Sequence, residues 1–505
     1  MVAIFTTFFG SAQFGTLDLT FGVDGKVSTE FGDYKSAVKA IALQQDGKIV
    51  AVGSTFNNST YHRYALARYN ADGSLDQTFG TEGKIVGDFP DEKMALTSVF
   101  VQPDGKIVAS GIIYNQYFDS EFVMIRFNED GSVDTGFGTN GMVIEGQLTI
   151  NSVKMLSDGK ILAAGFNSNP TGSERHIAVL RFNSDGSIDT SFAQNGYYIT
   201  SLAQKNFANA MQVLPDGKIV IGGVISNNSL SDFCVIRLMP DGNTDPDFGQ
   251  DGFASFDYDI TDEITSLCVQ PDGKIVFSGY TGDTMEYHYA VMRLNENGTI
   301  DHSFGDDGLV TGTGGSMAKN VEVEASGKIL VAGSYGEGSS KTASMLRFNA
   351  DGSLDAEFGE NGLITTAFSS SCQANAMTLQ SDGKIILGGE AGSTGGTYNP
   401  NFALMRYHSG TILGVHDRDF AGSFVVYPNP VADAFHIDMN LLQSEKLTIE
   451  LLDMNGRKIC SLADNAEYGI GMNSGYFTLP SGLQRGTYLL NISNGRDNSV
   501  LRIIK

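Results

Sequence analysis

The 505-residue chain has no tryptophan, only 11 prolines and only four cysteines. It also has no apolar run of about 18 residues, so no segment is long and apolar enough to cross a bilayer as a helix. The cysteines, Cys234, Cys268, Cys372 and Cys460, lie far apart with no Cys-x-x-Cys pair. They read as single buried thiols, not a zinc site or a disulfide framework. Basic residues are scarce: 33 Lys and Arg face 58 Asp and Glu, a formal net charge of -25. The deficit is uneven, because residues 1–408 carry 25 cations against 48 anions, while residues 423–505 carry 7 against 8. The first part is expected to repel nucleic acid and anionic lipid; a cationic partner or divalent metal is left open. The seven histidines (His62, His176, His288, His302, His408, His416 and His436) lack metal-ligand spacing. No nucleophile elbow and no phosphate-cradling glycine loop is present.

What is abundant is glycine, phenylalanine and tyrosine, at 61, 32 and 19 residues. With many Val and Ile, that composition suits short strands joined by tight turns. The turn Asp-Gly-Lys, once Ser-Gly-Lys, recurs with its glycine at Gly47, Gly105, Gly159, Gly217, Gly273, Gly327 and Gly383. An arginine keeps step at Arg68, Arg126, Arg181, Arg237, Arg293, Arg347 and Arg406, and so does a phenylalanine at Phe21, Phe79, Phe137, Phe192, Phe248, Phe304 and Phe358. Each unit holds four strand-like runs, a to d; in the first they are Ala37–Leu43, Lys48–Ser54, Tyr64–Tyr69 and Lys84–Phe89. Tandem four-stranded units of this length predict a seven-bladed β-propeller over residues 16–408. A solenoid is the rival, but it needs capping units, and neither end of the array reads as one. The array opens with a lone d-type strand, Lys26–Phe31, and stops after a c-type strand, Phe402–His408. The first is expected to complete the last blade, closing the ring and removing its exposed edges.

Spacings separate two faces. The turn glycine lies six residues before the glycine ending strand b (Gly53, Gly111, Gly165, Gly223, Gly279, Gly333 and Gly389) in every unit, and Arg lies 11 before the next Phe. The b–c segment instead ranges from 14 to 17 residues and the d–a segment from 22 to 26. The a–b and c–d turns therefore share a fixed face, and the variable face is where function is expected. Its b–c loops hold Tyr61, His62, Arg63, Tyr114, Tyr117, Tyr287, His288 and Tyr398, amphipathic residues suited to binding a surface glycan or a protein. Covering the blade ends is the plainer use of the same tyrosines, and the absence of tryptophan weakens sugar stacking. Acidic residues such as Asp257, Asp259, Asp262 and Glu263 keep open a secreted polysaccharide hydrolase or lyase. A structural surface spacer is a third alternative. No catalytic residue is assigned.

The c–d turn Asn70-Ala71-Asp72-Gly73-Ser74-Leu75-Asp76 has the oxygen density of a calcium loop. Met239 and Asn297 break the ligand set in two copies, so a tight Asx turn is the expected reading. Each repeated Arg stands eight residues before an Asp, as in Arg68 and Asp76. The seven pairs close only if Asp18 serves Arg406. They are expected to be buried scaffold pairs.

The N-terminal residues 1–13 run apolar and end with Gly10 and Ala12 spaced as at a cleavage site, resembling the second half of a secretory signal peptide, though no basic residue precedes them. Residues 409–422 read as a linker. Residues 423–505 carry six or seven short strands, a small β-sandwich. Within it Tyr427-Pro428-Asn429-Pro430, Leu451-Leu452-Asp453-Met454-Asn455-Gly456-Arg457, Gly486-Thr487-Tyr488-Leu489-Leu490 and the terminal Leu501-Arg502-Ile503-Ile504-Lys505 resemble the type A C-terminal sorting domain of type IX secretion cargo. The resemblance implies export through the periplasm and recognition by the translocon and its sortase. Cleavage near 409–423 would follow, then release or attachment to surface lipopolysaccharide. The Leu-Asp-x-x-Phe-Gly, Gln-Pro-Asp-Gly-Lys-Ile-Val and Arg-Phe-Asn-x-Asp-Gly patterns resemble the bacterial delta-60 repeat family, which implies a propeller and no activity.

Overall fold

Ile49, Val50, Ala51 and Val52 follow one another without a polar residue, and all four are fully buried. A strand can be apolar on both faces only if both are covered. Val50 and Val52 pack with Leu96 and Ile107 of the second repeat. Ile49 and Ala51 pack with Ile386, Phe402 and Leu404 of the last. In a computed structural model this sandwiching repeats around seven four-stranded blades, each ordered a-b-c-d from the inside outwards. The first blade comprises Lys35–Leu43, Ile49–Phe56, His62–Tyr69 and Lys84–Gly87.

The structure describes residues 14–409 and 422–505, apart from 33–34, 57–61, 88–92, 115–119, 169–173, 201, 203–204, 228–229, 284–285, 313–315, 337–340, 369–370, 393–399, 428–430, 432–433, 442–443, 453–456, 470, 485 and 495–497. The expected signal remnant at 1–13 and most of the linker at 409–422 lie outside the described residues. The chain divides into two units, Met1–Gly410 and Thr411–Lys505.

In the first unit the seven a strands touch one another in a closed ring, the first against the last. The strand Lys26–Thr29 pairs antiparallel with Pro400–Tyr407, Lys26 opposite Met405 and Thr29 opposite Phe402, as the fourth strand of blade 7. The N-terminal segment thus fills the place the chain leaves empty at the end of the array. Every a strand also carries one extra residue opposite strand b: Lys39, Thr97, Asn151, Asn209, Thr265, Lys319 and Asn375. Such a bulge bends the strand. It also explains the glycine at the end of strand b. A Cβ on Gly53, Gly111, Gly165, Gly223, Gly279, Gly333 or Gly389 would stand 1.8–2.0 Å from the carbonyl oxygen that precedes the bulge.

The second unit has two sheets. One holds Gly422–Tyr427, Ala434–Leu441 and Gly471–Thr478; the other is ordered Lys458–Tyr468, Glu445–Leu452, Thr487–Ser493 and Asn498–Ile504. Their inner faces meet around Phe435, Ile437, Leu447, Ile449, Leu490 and Ile503, all fully buried, which makes a β-sandwich.

Candidate functional site

The fixed face is occupied by one arrangement repeated seven times. In blade 1 Arg68 Nε donates to Asp76 Oδ2 at 2.7 Å, and Lys48 of the a–b turn reaches the same oxygen at 3.6 Å. Across the seven blades the Arg contact is 2.6–2.8 Å and the Lys contact 2.6–3.6 Å. The lysine of Asp-Gly-Lys is thus a third member that the Arg–Asp spacing alone misses. Each guanidinium lies 4.3–4.8 Å from the ring centre of its buried Phe. Burial would raise the Asp76 carboxyl, but hydrogen bonds from Thr78 and the Arg68 charge outweigh it and hold the carboxyl down at about 2.

The arginine also leaves its blade. Arg68 Nη1 donates to the carbonyl of Glu129 in the next c–d turn, and the other six reach Ser184, Pro240, Glu296, Ala350, Ser409 and Ala71. Arg406 to Ala71 carries the series from the last blade back to the first. Beside it runs a chain of backbone bonds, from Gly22 N to Asp72 O through Gly305 N to Asp351 O; the seventh joins Gly359 N to Phe14 O at 2.8 Å. The expected Arg–Asp pair is present in every blade, and the same arginine in addition couples its blade to the next. The c–d turn is an Asx turn: Asp72 Oδ1 accepts from Ser74 N at 2.9 Å and Ser74 Oγ at 2.6 Å, and Gly73 has φ 86°. Among the described residues no group of three or more His, Cys, Asp or Glu is placed to hold a metal.

On the variable face the expected loop residues sit differently. His62 and Arg63 belong to strand c of blade 1, Tyr114 ends strand b of blade 2, and Tyr287 and His288 begin strand c of blade 5. Strand pairing includes them, with His62 opposite Phe56 and Tyr287 opposite Gly282, so these are strand ends and not loop residues. Tyr61, Tyr117 and Tyr398 lie outside the described residues. His62 stacks on Phe56 with ring centres 5.2 Å apart. Tyr287 meets Tyr280 edge-on at 5.3 Å, and Tyr280 donates to Glu263, whose other oxygen accepts from Asn209 at 3.1 Å.

Tyr114 is 37% exposed. Burial pushes its phenol up, while the nearby Arg175 guanidinium of blade 3 pulls it down. Arg175 lies 5.0 Å from the Phe166 ring centre, and Phe166 meets Phe207 of blade 4 edge-on at 5.9 Å. Arg175, Phe166 and Phe207 thus form a cationic and aromatic ledge across blades 3 and 4, with the Arg175 charge reaching Tyr114 of blade 2, and of these four the sequence pointed only to the tyrosine. The ledge's signal was present: of the 25 Lys and Arg before residue 409, fourteen serve the fixed-face triads. Lys26 and Lys84 lie on outer strands, and Lys154 near an a–b turn. The remainder, Lys35, Lys39, Arg63, Lys93, Arg175, Lys205, Lys319 and Lys341, lie on a strands or at the starts of c strands. Asp262 is fully buried and accepts from Tyr258 N at 2.7 Å and from Thr281 Oγ1, and Glu263 is held by Tyr280 and Asn209.

In the second unit Tyr427 lies opposite His436, while Pro428, Asn429, Pro430 and Gly456 fall outside the described residues. Gly486 and Lys505 exchange two backbone hydrogen bonds at 3.0 and 2.9 Å, and the Tyr488 hydroxyl donates to Gln484 O at 2.8 Å. Arg457, Lys458, Gln484 and Tyr488 line one shallow depression.

The model of a β-propeller domain of unknown function, DUF5122, matches residues 44–79, 102–137, 156–192, 214–248, 270–304, 324–358 and 380–409. That of a secretion system C-terminal sorting domain matches 425–505. No curated protein matches the sequence. Similar solved structures include PorZ, a surface component of the type IX secretion system of Porphyromonas gingivalis, at 9% identity over 96% of this chain and 87% of that one, TM-score 0.27. Polysaccharide lyase Uly1 is similar at 13% identity over 74% and 89%, TM-score 0.44, and Sqt1 from Chaetomium thermophilum at 12% over 75% and 98%, TM-score 0.38. Likeness at this level carries no statement about function.

Proposed function

Since this chain is an array of seven DUF5122 β-propeller repeats followed by a secretion system C-terminal sorting domain, we propose that it is a binding module that engages a surface glycan or protein through its variable face. Export by type IX secretion takes it to the cell surface or the extracellular space. The observation that carries the reading is the ledge of Tyr114, Arg175, Phe166 and Phe207. It joins a cation to two aromatics across blades 3 and 4, within electrostatic reach of the partly exposed Tyr114 of blade 2, on the face whose segments vary in length. Aromatic and arginine side chains are the groups that dominate binding surfaces. On the fixed face the repeated Arg, Lys and Asp are engaged with one another, and each Arg also with the next blade.

The reading is non-catalytic. The carboxylates that would serve a hydrolase, Asp262 and Glu263, are committed to neighbouring donors. No cofactor is needed for it. The sorting domain is the partner of the type IX translocon and sortase, with Gly486 and Lys505 bonded to each other and Tyr488 bonded to Gln484 at one end of its second sheet.

The test is a binding array of surface polysaccharides and outer-membrane proteins probed with the full chain, with and without calcium. Saturable binding that falls about tenfold or more on Tyr114→Ala or Arg175→Ala supports the reading. Binding that survives both substitutions, or that requires calcium, removes it.

A further inference from the structure

Four stretches of the second unit carry its resemblance to sorting domains, and the structure brings three of them together. Leu451 and Leu452, of the stretch that ends at Arg457, pair with Leu490 and Leu489 of the Gly486–Leu490 stretch. Tyr488 in turn lies opposite Ile503 of the terminal stretch, and Gly486 and Lys505 exchange two backbone hydrogen bonds. At this end of the sheet Arg457, Lys458, Ile459, Leu483, Gln484 and Tyr488 line the shallow depression.

The depression combines apolar side chains with two cations. Leu483 and Tyr488 are partly buried and pack against the core of the sandwich, so they are held from behind. The Tyr488 hydroxyl donates to Gln484 O at 2.8 Å, which ties the segment around Gln484 to the strand. Ile459 is brought in by a break in register: Cys460 lies opposite Leu451 but Lys458 lies opposite Leu452, so Ile459 is the extra residue. A bulge of this kind re-aims a side chain, and Ile459 is 37% exposed. Arg457 and Lys458 are exposed beside it. Lys458 Nζ lies 2.6 Å from Glu450 Oε1. An ammonium has three donors, so this pair leaves it able to serve a second acceptor. A Cβ on Gly482, also in the lining, would meet nothing within 4 Å, so the mouth is open.

We propose that this depression is the surface at which the sorting domain is read, and that its occupant is an acidic segment bearing an apolar side chain on a protein of the type IX machinery. The Arg457 guanidinium offers a planar fork that matches a carboxylate, and the Lys458 ammonium a point charge. Ile459, Leu483 and Tyr488 supply the apolar contact beside them. That role rests on the sorting domain's being the partner of the translocon and sortase, and is independent of what the propeller binds.

The experiment is export of the full chain from a bacterium with a type IX system, read by fractionation and immunoblotting of periplasm, surface and medium. Arg457→Gln with Lys458→Gln removes both charges at exposed positions, so the doubly substituted protein is expected to fold, and thermal melts of the purified chain check that. Its surface and medium levels should fall about tenfold or more, with the protein held in the periplasm. Lys446→Gln removes a similarly exposed cation at the far end of the same two strands, where it pairs with Glu467 at 2.9 Å. That variant should be exported within about twofold of the parent. Export of the doubly substituted protein at the parent's level would overturn the proposal, as would an equal loss from Lys446→Gln. Parent-level export combined with lost binding to vesicles of anionic phospholipid would assign the depression to a membrane surface, and so overturn it too. A parent chain that itself stays in the periplasm would remove the sorting role, and the proposal with it.

Discussion

Arg406 and Asp18 lie 388 positions apart in sequence and 2.8 Å apart in space. The two residues belong to the opposite ends of the array, and their contact is the same Nε–Oδ2 bond that Arg68 makes to Asp76 within one repeat. Lys384 completes the triad at 3.3 Å. Arg406 then reaches on to Ala71 in blade 1. The closure of the ring therefore uses the same Arg–Asp–Lys triad as its other six joints.

Removing one member of that joint leaves a buried charge without its partner. Arg406→Met or Asp18→Ala should cost about 3–5 kcal/mol of stability, measured as a shift in the urea midpoint of the full chain. A loss below about 0.5 kcal/mol, typical of an exposed pair, would mean that the end strand is not held this way.

Acid should loosen all the joints together. The Asp76 and Asp134 carboxyls are held down at about 2 in the folded chain, below the ordinary value of 3.8. A depressed carboxyl contributes its stability fully above the ordinary value and loses it as pH falls through the folded one. Resistance to urea should therefore be flat above about pH 4 from this source and fall steeply between about 4 and 2. Unfolding midpoints taken across that range check it; a midpoint that does not fall would mean the carboxyls are not ionised partners.

The second blade is missing one bond that can be restored. Ser191 Oγ donates to Asp189 at 2.6 Å and Thr78 Oγ1 to Asp76 at 2.7 Å, but Gly136 has no side chain to offer Asp134. A Cβ there meets only Asp134 Oδ1, at 3.3 Å. Gly136→Ser should therefore stabilise the chain by about 1 kcal/mol, from the new bond and the less flexible unfolded chain. Gly223→Ala should act in the opposite sense, because its methyl would meet Phe207 O at 2.0 Å. The expected loss is about 1–3 kcal/mol. Thermal melts of the two variants should move in opposite directions.

Much of this was legible in the sequence because the repeat is local. The Asp-Gly-Lys turn, the arginine and the phenylalanine recur at fixed offsets, and a d strand without its blade at one end answers a blade without its d strand at the other. The lysine of the triad and the reach of Arg68 to Glu129 were not legible, since they join segments that no spacing relates. The glycine of strand b was visible as a landmark, but its reason, a bulged carbonyl at close range, belongs to the neighbouring strand. Residues at the variable face were harder still. Tyr114 is visible as an aromatic, whereas Arg175, whose charge reaches it, comes from another blade.

Export should depend on the last strand of the sandwich. Asn498–Ile504 carries Ile503, fully buried, and Lys505 closes on Gly486. Deleting Leu501–Lys505 removes that core contact and the edge pairing, so the full-length propeller should accumulate in the periplasm and be absent from the surface and medium. Fractionation with immunoblotting reads the outcome. Unchanged surface or medium levels would separate sorting from the folded state of this sheet.

The most direct measurement is a comparison of the two faces against whatever surface polymer or protein the full chain retains. Tyr114→Ala with Arg175→Ala alters the variable face, and Asp104→Ala with Asp216→Ala alters exposed a–b turns of the fixed face. The account predicts that the first pair weakens binding about tenfold or more while the second leaves it within about twofold. Equal loss from both, or loss only from the fixed-face pair, would contradict it.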